Sequence, residues 1–399
     1  MSDSLDVLVI TQFFPPESMG GAHRWEKLSA NLNEEIEPHI LTTQPTFPFG
    51  KFERRFRPLE QESVSGVTAT RLFTYQPTSD TILGRLLNYG MFSILSTLYV
   101  LGTFWRYDCV VTMSAPHTTF VPGLTGKMLG LRWYLDIFDL WVDNAADLGY
   151  VDEDSLAYEI VAALERVSFE QSNGVFVITD TMAEYYKKKY DGAEFAVHVV
   201  PFGVDTDLFS PDVEPTASPD VIYTGNLGTG QAFEPFFRGF AEVDGEPELL
   251  IVGRGERQQE LERLARRLGI DDRVTFEGYV SRSDVPHLVA GATVSFVPLK
   301  TEHQLDYARP TKLLETMAVG TPYIASEVNE IADLSHCHEP GIAVKNESGV
   351  VAEALETLLS SPDARDEMGK NGLEVIRSSH DWDVIGASVS SFIRATASA

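Results

Sequence analysis

Lys312 and Glu315 lie three residues apart in Arg309-Pro-Thr-Lys-Leu-Leu-Glu-Thr-Met-Ala-Val-Gly-Thr-Pro322, offering a cation and a carboxylate on one helix face. Pro310 suits a first helical turn, Gly320 a helix end and Pro322 the chain just beyond. Leu313, Leu314, Met317 and Ala318 form the apolar stripe. The unpaired amides and dipole at the helix start favour an anion near Thr311 and Lys312. One turn deeper, Glu315 is spaced to accept two hydrogen bonds from a vicinal diol. A diphosphate joined to a ribose presents its groups in that order. A surface helix carrying an i,i+3 Lys–Glu pair is the alternative reading.

Other chemistry-bearing residues sit where strands end. His117 follows Cys109-Val-Val-Thr-Met-Ser-Ala-Pro, and Asp139 and Trp141 follow Trp133-Tyr-Leu-Asp-Ile-Phe. A histidine there is a proton carrier or a packed ring, and the aspartate a ligand group or a helix cap. Gly20 and Gly21 close a loop between a strand and a helix, where a backbone can approach a ligand closely or simply turn. Thr224-Gly-Asn-Leu-Gly228 and Val252-Gly-Arg-Gly-Glu256 repeat that arrangement, Arg254 adding charge. None of these is a GxGxxG or Walker fingerprint.

The elements holding these residues alternate. Strand-like runs cover residues 6–11, 38–43, 68–73, 108–114, 132–139, 175–179 and 196–201, with helical patterns at 22–33, 120–130, 154–171 and 181–190. A Pro-rich break follows. A second series has strands at 220–224, 248–252, 273–279, 292–299, 323–326 and 342–345, with helices at 233–242, 258–268, 282–290 and 349–360. The expected fold is α/β, two Rossmann-like domains facing across a cleft. Their expected bounds are 1–211 and 212–380, with a C-terminal helix at 381–399 crossing back to the first.

The chain has 399 residues and a formal charge of −28, with 21 Arg against 10 Lys. That excess argues against a nucleic-acid partner, since little is available to displace counterions from phosphates. It suits a solvated surface adapted to high salt, an expectation that equal stability in molar and dilute salt contradicts. Two cysteines exclude a disulfide framework, and the acidic N-terminus without a basic leader reads as cytoplasmic. Twenty uncharged residues between Arg85 and Arg106 read as a packed domain helix or one lying on a membrane surface, because a span would split a βα domain.

Four runs, in this order and spacing, resemble the retaining glycosyltransferases of family 4: Phe202-Gly-Val-Asp-Thr-Asp-Leu-Phe-Ser-Pro211, Ile251-Val-Gly-Arg-Gly255, Val274-Thr-Phe-Glu-Gly-Tyr-Val280 and Lys312-Leu-Leu-Glu-Thr-Met-Ala-Val-Gly-Thr-Pro322. The resemblance covers nearly the whole chain. It implies the GT-B fold and a nucleotide-sugar donor bound to the second domain. Glu315 matches the second glutamate of the family's E-x7-E motif, which binds the ribose. The diphosphate would lie over Thr311 and Lys312, with Leu313 counted among the substrate-binding residues, and the loop at Tyr279 and Val280 would hold the base. Gly20 and Gly21 would admit the diphosphate or sugar to the first domain, and His117 would stand near the transferred sugar.

Two departures qualify the match. The first glutamate of the motif falls at Tyr307, and the basic pair that clasps diphosphate in many members falls near Asn226 and Gln231. Lys312, Arg309 or Arg254 would supply the charge instead. No cofactor or metal is expected, because Asp205-Thr-Asp207 and Asp152-Glu-Asp154 belong to other local patterns. The resemblance extends to members that build surface polysaccharides or lipid-linked glycans, implying a glycan or polyprenyl- or dolichyl-linked acceptor. Two rivals stay open. A sugar-nucleotide epimerase of the same fold would isomerise its substrate without an acceptor. A non-catalytic partner subunit would bind no donor.

Overall fold

Val7, Leu8, Val9 and Ile10 are buried on both sides, as an interior strand of a parallel sheet requires. The computed structural model describes residues 4–17, 21–147, 152, 154–301, 307 and 309–397. In the first unit this strand, β1 (Leu5–Ile10), is joined by β2 (Ile36–Thr43), β3 (Leu59–Val64), β4 (Val67–Leu72), β5 (Cys109–Met113), β6 (Arg132–Ile137), β7 (Gly174–Val177) and β8 (Val197–Val199). They form one sheet in the order β3-β4-β2-β1-β5-β6-β7-β8. Every described pairing is parallel except β3 with β4. Sequence reading passed over β3 because Leu-Glu-Gln-Glu-Ser-Val is an exposed, mostly polar edge strand with little apolar signal. The order reverses between β1 and β5, so the loops after these two strands flank the switch point where such sheets bind ligands.

The second unit repeats the plan with β9 (Val221–Thr224), β10 (Leu249–Val252), β11 (Val274–Gly278), β12 (Val294–Val297), β13 (Tyr323–Ser326) and β14 (Gly341–Val344). All are parallel, in the order β11-β10-β9-β12-β13-β14, with the reversal between β9 and β12. One apolar cluster joins Phe233, Phe236, Phe237 and Phe240 to Leu355 and Leu358 on one face of the sheet. Another joins Leu313, Leu314 and Met317 to Ile331 and Ile376 on the other.

The units divide at Pro201/Phe202 and again at Val384/Ile385, not at residue 211. Phe202–Pro211 goes with the second unit because Val204 and Phe209 bury themselves in its core, a role the Pro and Gly punctuation hides. Ile385–Ala399 goes with the first, where Phe392 stacks on His198 and packs edge-on to Phe176 and Tyr134. Helices Asn329–His338 and Pro362–Val375 were absent from the sequence reading, and the first helix is shorter than expected, Arg24–Ala30.

Candidate active site

The second unit builds its site from three loops and one helix. Gly225 and Gly253 both hold positive φ, 133° and 134°, and a β-carbon on Gly253 would come within 1.9 Å of the Gly225 carbonyl oxygen. The loops after β9 and β10 therefore interlock, Gly225 donating to the Val252 carbonyl and Leu227 to that of Arg254. With Tyr279 and Val280 after β11 they line a cavity of about 300 Å³, to which Asn226 and the exposed Arg254 contribute.

Beside this cavity the helix Thr311–Ala318 begins at Pro310, which accepts the Leu313 amide at 3.0 Å. The amides of Thr311 and Lys312 have no acceptor within the helix. Lys312 Nζ donates to the Tyr223 hydroxyl (2.9 Å) and to Gln231 Oε1 (3.2 Å), lying 4.5 Å from the centre of the Tyr223 ring. The Tyr223 hydroxyl in turn donates to the Asn226 carbonyl at 2.7 Å. Burial pushes the Lys312 ammonium down to about 8, against the pull of Glu315. Burial likewise raises the Glu315 carboxyl, opposed by the Arg282 guanidinium, which donates to Glu315 Oε1 at 2.8 Å. A cation with its ring partner and a carboxylate one turn further in thus lie along one helix. They are arranged to receive an anion and then a diol.

Two expected ligand groups face elsewhere. Leu313 is buried in the core with its amide committed to Pro310, so it offers the site nothing of its own. Arg309 turns to the buried Glu330, Nε to Oε2 at 2.9 Å, and approaches His380, whose ring burial pushes down to about 4. Of the three candidate cations for the diphosphate, Lys312 and Arg254 adjoin the cavity and Arg309 is occupied. Tyr223 and Arg282 were missed by sequence reading. Only the fold carries β9 and the 281–284 turn to this helix.

The first unit brings together a different cluster. Beyond β5 the chain turns through Ala115, at φ 62°, into the short helix His117–Thr119. His117 is wholly buried, its ring stacked on Trp141 and tilted against Phe120. Its Nε2 meets Glu165 Oε2 at 2.5 Å, while Nδ1 has no hydrogen-bond partner among the described residues. Glu165 also accepts from Lys189 Nζ (2.9 Å) and from the Tyr190 hydroxyl, and Lys189 donates to Asp143 at 2.7 Å. Burial works to raise the Glu165 carboxyl, but the His117 bond, the Lys189 charge and the Tyr190 hydroxyl hold it at about 2. The rings of Tyr185, Tyr186 and Tyr190 stand 5.6–5.7 Å from the Lys189 ammonium. Glu165, Lys189 and Tyr190 were not legible around His117, since 48 residues separate it from Glu165, whereas Trp141 stands at the neighbouring strand end.

Asp139 accepts from the Asn144 side chain at 2.6 Å within the turn that opens helix Trp141–Asp147. Gly21 packs on Phe138, where a β-carbon would lie 2.5 Å from the ring edge, so close packing alone demands glycine there. Gly20 lies outside the described residues. A buried bond set was also missed. Arg24 is forked on Asp136 (Nε to Oδ2, 2.9 Å) and donates to the Val200 and Pro201 carbonyls, while Trp25 Nε1 donates to Asp136 at 2.7 Å.

Two Rossmann-like units, each with its loops gathered where the strand order reverses, define the GT-B class of fold. Residues 218–361 match the family described as glycosyl transferases group 1. A GDP-mannose-dependent alpha-(1-6)-phosphatidylinositol monomannoside mannosyltransferase of Mycobacterium tuberculosis is 29% identical over 317 residues, 70% of this chain and 82% of that protein. Among solved structures, sucrose-phosphate synthase from Thermosynechococcus elongatus aligns with a TM-score of 0.73 at 20% identity, covering 98% of both chains. Anabaena HepE in complex with UDP gives 0.72 at 14% identity, covering 98% of this chain and 100% of that one. The fold is that of the GT-B glycosyltransferases, and the likeness to group 1 glycosyl transferases lies in the second unit. The family matched by the second unit and the mycobacterial relative are both glycosyl transferases.

Proposed function

We propose that the donor's diphosphate rests on the start of the Thr311–Ala318 helix against Lys312, with its ribose on Glu315 and its base in the cavity beside Tyr279 and Val280. The observation that carries this reading is the Lys312 ammonium, desolvated on the Tyr223 ring one turn ahead of Glu315. As the bond to the anomeric carbon breaks, negative charge gathers on the leaving diphosphate. A preorganised ammonium and unpaired helix amides stabilise that charge without a metal. In this reading His117 meets the transferred sugar through Nδ1, its Nε2 being committed to Glu165.

Transfer proceeds with retention. The mycobacterial relative is named for GDP-mannose, an α-linked donor, and for an alpha-(1-6) product, which supports the same outcome here. That relative is named for a phosphatidylinositol monomannoside, which likewise supports a lipid-linked glycan as acceptor; the place of work in this reading is the cytoplasmic face of a membrane.

A panel of UDP-, GDP- and other nucleotide sugars, assayed in molar potassium chloride with wild type and Glu315→Ala, tests the donor site. One donor should bind and release its nucleotide. The variant should lose affinity for the ribonucleotide while treating the 2′,3′-dideoxy analogue as wild type does. Equal ribonucleotide affinity in the two proteins, or no donor bound by folded wild type, sinks the assignment.

A further inference from the structure

The helix Ile82–Thr103 carries a row of side chains left exposed among the described residues of its own unit. Leu83, Leu87, Ile94, Leu98, Leu101 and, one turn on, Trp105 are 47% to 68% exposed. At 100° per residue they fall within about 60° of arc, a single stripe. Gly90 lies in the same stripe with nothing near the position of a β-carbon. The opposite face is fastened to the fold. Asn88 accepts from Gln12 at 2.8 Å and donates to the Tyr75 carbonyl, Phe92 and Val100 are buried, and Ser93 donates to the Thr118 carbonyl at 2.7 Å. The helix is long and apolar enough to cross a membrane, yet with half its circumference packed it cannot be ringed by lipid.

Charge singles out the same region. Residues 49–106 hold seven Lys and Arg against four Asp and Glu, a net +3 in a chain of −28. Arg54, Arg55 and Arg57 are exposed around the exposed Phe56. This loop adjoins the helix start. Arg55 takes its amide to the Gln76 side chain, and Arg85 stands over the Phe49 ring. An apolar stripe edged by cations, ending in a tryptophan, complements a lipid surface with anionic headgroups. A second copy of the same face would set cations against cations.

We propose that the Ile82–Thr103 stripe and the 49–57 loop lie flat on an anionic bilayer, the stripe immersed among acyl chains and the arginines at the headgroups. The inference deepens the lipid-linked acceptor reading by naming the surface through which the chain meets it. The Ser93–Thr118 bond then puts the bilayer-facing helix directly behind the His117 turn.

The test is co-sedimentation with phosphatidylglycerol/phosphatidylcholine vesicles and with pure phosphatidylcholine vesicles, at low salt and in molar potassium chloride, with no donor or acceptor present. Failure here therefore leaves the transfer reaction untouched. Wild type should bind the anionic vesicles and keep part of that binding in molar salt, as apolar insertion requires. Leu87→Glu/Ile94→Glu/Leu98→Glu should lower partitioning on the order of tenfold or more. Arg54→Gln/Arg55→Gln/Arg57→Gln should lose the preference for anionic vesicles at low salt only. Far-ultraviolet circular dichroism and nucleotide affinity establish that each variant is folded. Overturning results are wild type that ignores vesicles, a triple-glutamate variant that binds as wild type does, or a wild-type dimer that the same variant turns into monomers.

Discussion

The two charged clusters, one in each unit, are built to opposite rules. In the second unit Lys312 has a phenol, an amide oxygen and an aromatic face for company, and no carboxylate within hydrogen-bond reach among the described residues. In the first, Lys189 lies between two carboxylates under three tyrosine rings, and Glu165 takes three donors at once. One lysine is left in want of an anion, and burial lowers it; the other already has two, which raise it despite burial. The difference teaches where ligand chemistry sits. A cation whose charge is unsatisfied waits for something, whereas one whose charge is answered holds the protein together.

Exchanging each lysine for methionine should separate these roles. Lys189→Met leaves Glu165 and Asp143 without their cation and should cost about 3–5 kcal/mol of stability, read by denaturant melts. Lys312→Met should leave the melting temperature unchanged or higher, since a desolvated ammonium is removed. Turnover should nevertheless fall about 10²- to 10³-fold through the lost charge on the diphosphate. A stable Lys189→Met protein, or a Lys312→Met enzyme of normal rate, breaks the comparison.

Acid and base should part the clusters as well. The Glu165 carboxyl, held at about 2 below its ordinary 4.5, contributes stability that is whole above about 4.5 and is lost as pH falls towards 2. Lys312 acts at the other end of the scale. Its folded value of about 8 lies below the ordinary 10.5, so the folded state sheds this proton first and gains stability from about pH 8 to 10.5. Over the same range its charge vanishes. Nucleoside diphosphate affinity should therefore weaken above about pH 8 in titration calorimetry, and Lys312→Met should lack that inflection. The smallest effect belongs to Tyr223→Phe, which keeps the ring and loses the hydroxyl's two hydrogen bonds, from Lys312 and to the Asn226 carbonyl. It should change donor affinity by about 1 kcal/mol, as isothermal titration would report.

The Thr311–Ala318 helix was legible because its signals are local: Pro310 before it, Gly320 after it, and Lys312 and Glu315 three apart. The alternating plan of both units was legible for the same reason, from apolar runs punctuated by glycine and proline. Tyr223 and Arg282 were not, because they meet Lys312 and Glu315 across 89 and 33 residues of chain. Arg309 and Leu313 misled because adjacency in sequence says nothing about which way a side chain turns. The 202–211 run was read with the first unit, ahead of a boundary at 212, because its two buried residues, Val204 and Phe209, are too few to show a period. A polar edge strand such as β3 declares itself only through its partner.

The division of the chain also sets a schedule for its synthesis. Phe202–Val384 is one unbroken stretch, whereas the other unit is written in two pieces around it. Phe392, which shields His198 and Phe176, leaves the ribosome only after some 180 further codons have been read. At ordinary elongation rates that is a delay of about 10 to 40 s. Through that interval β7 and β8 stand without the cover of their last helix. The segment translated second is the first that can finish folding, and the segment translated first must wait for its last helix to be made.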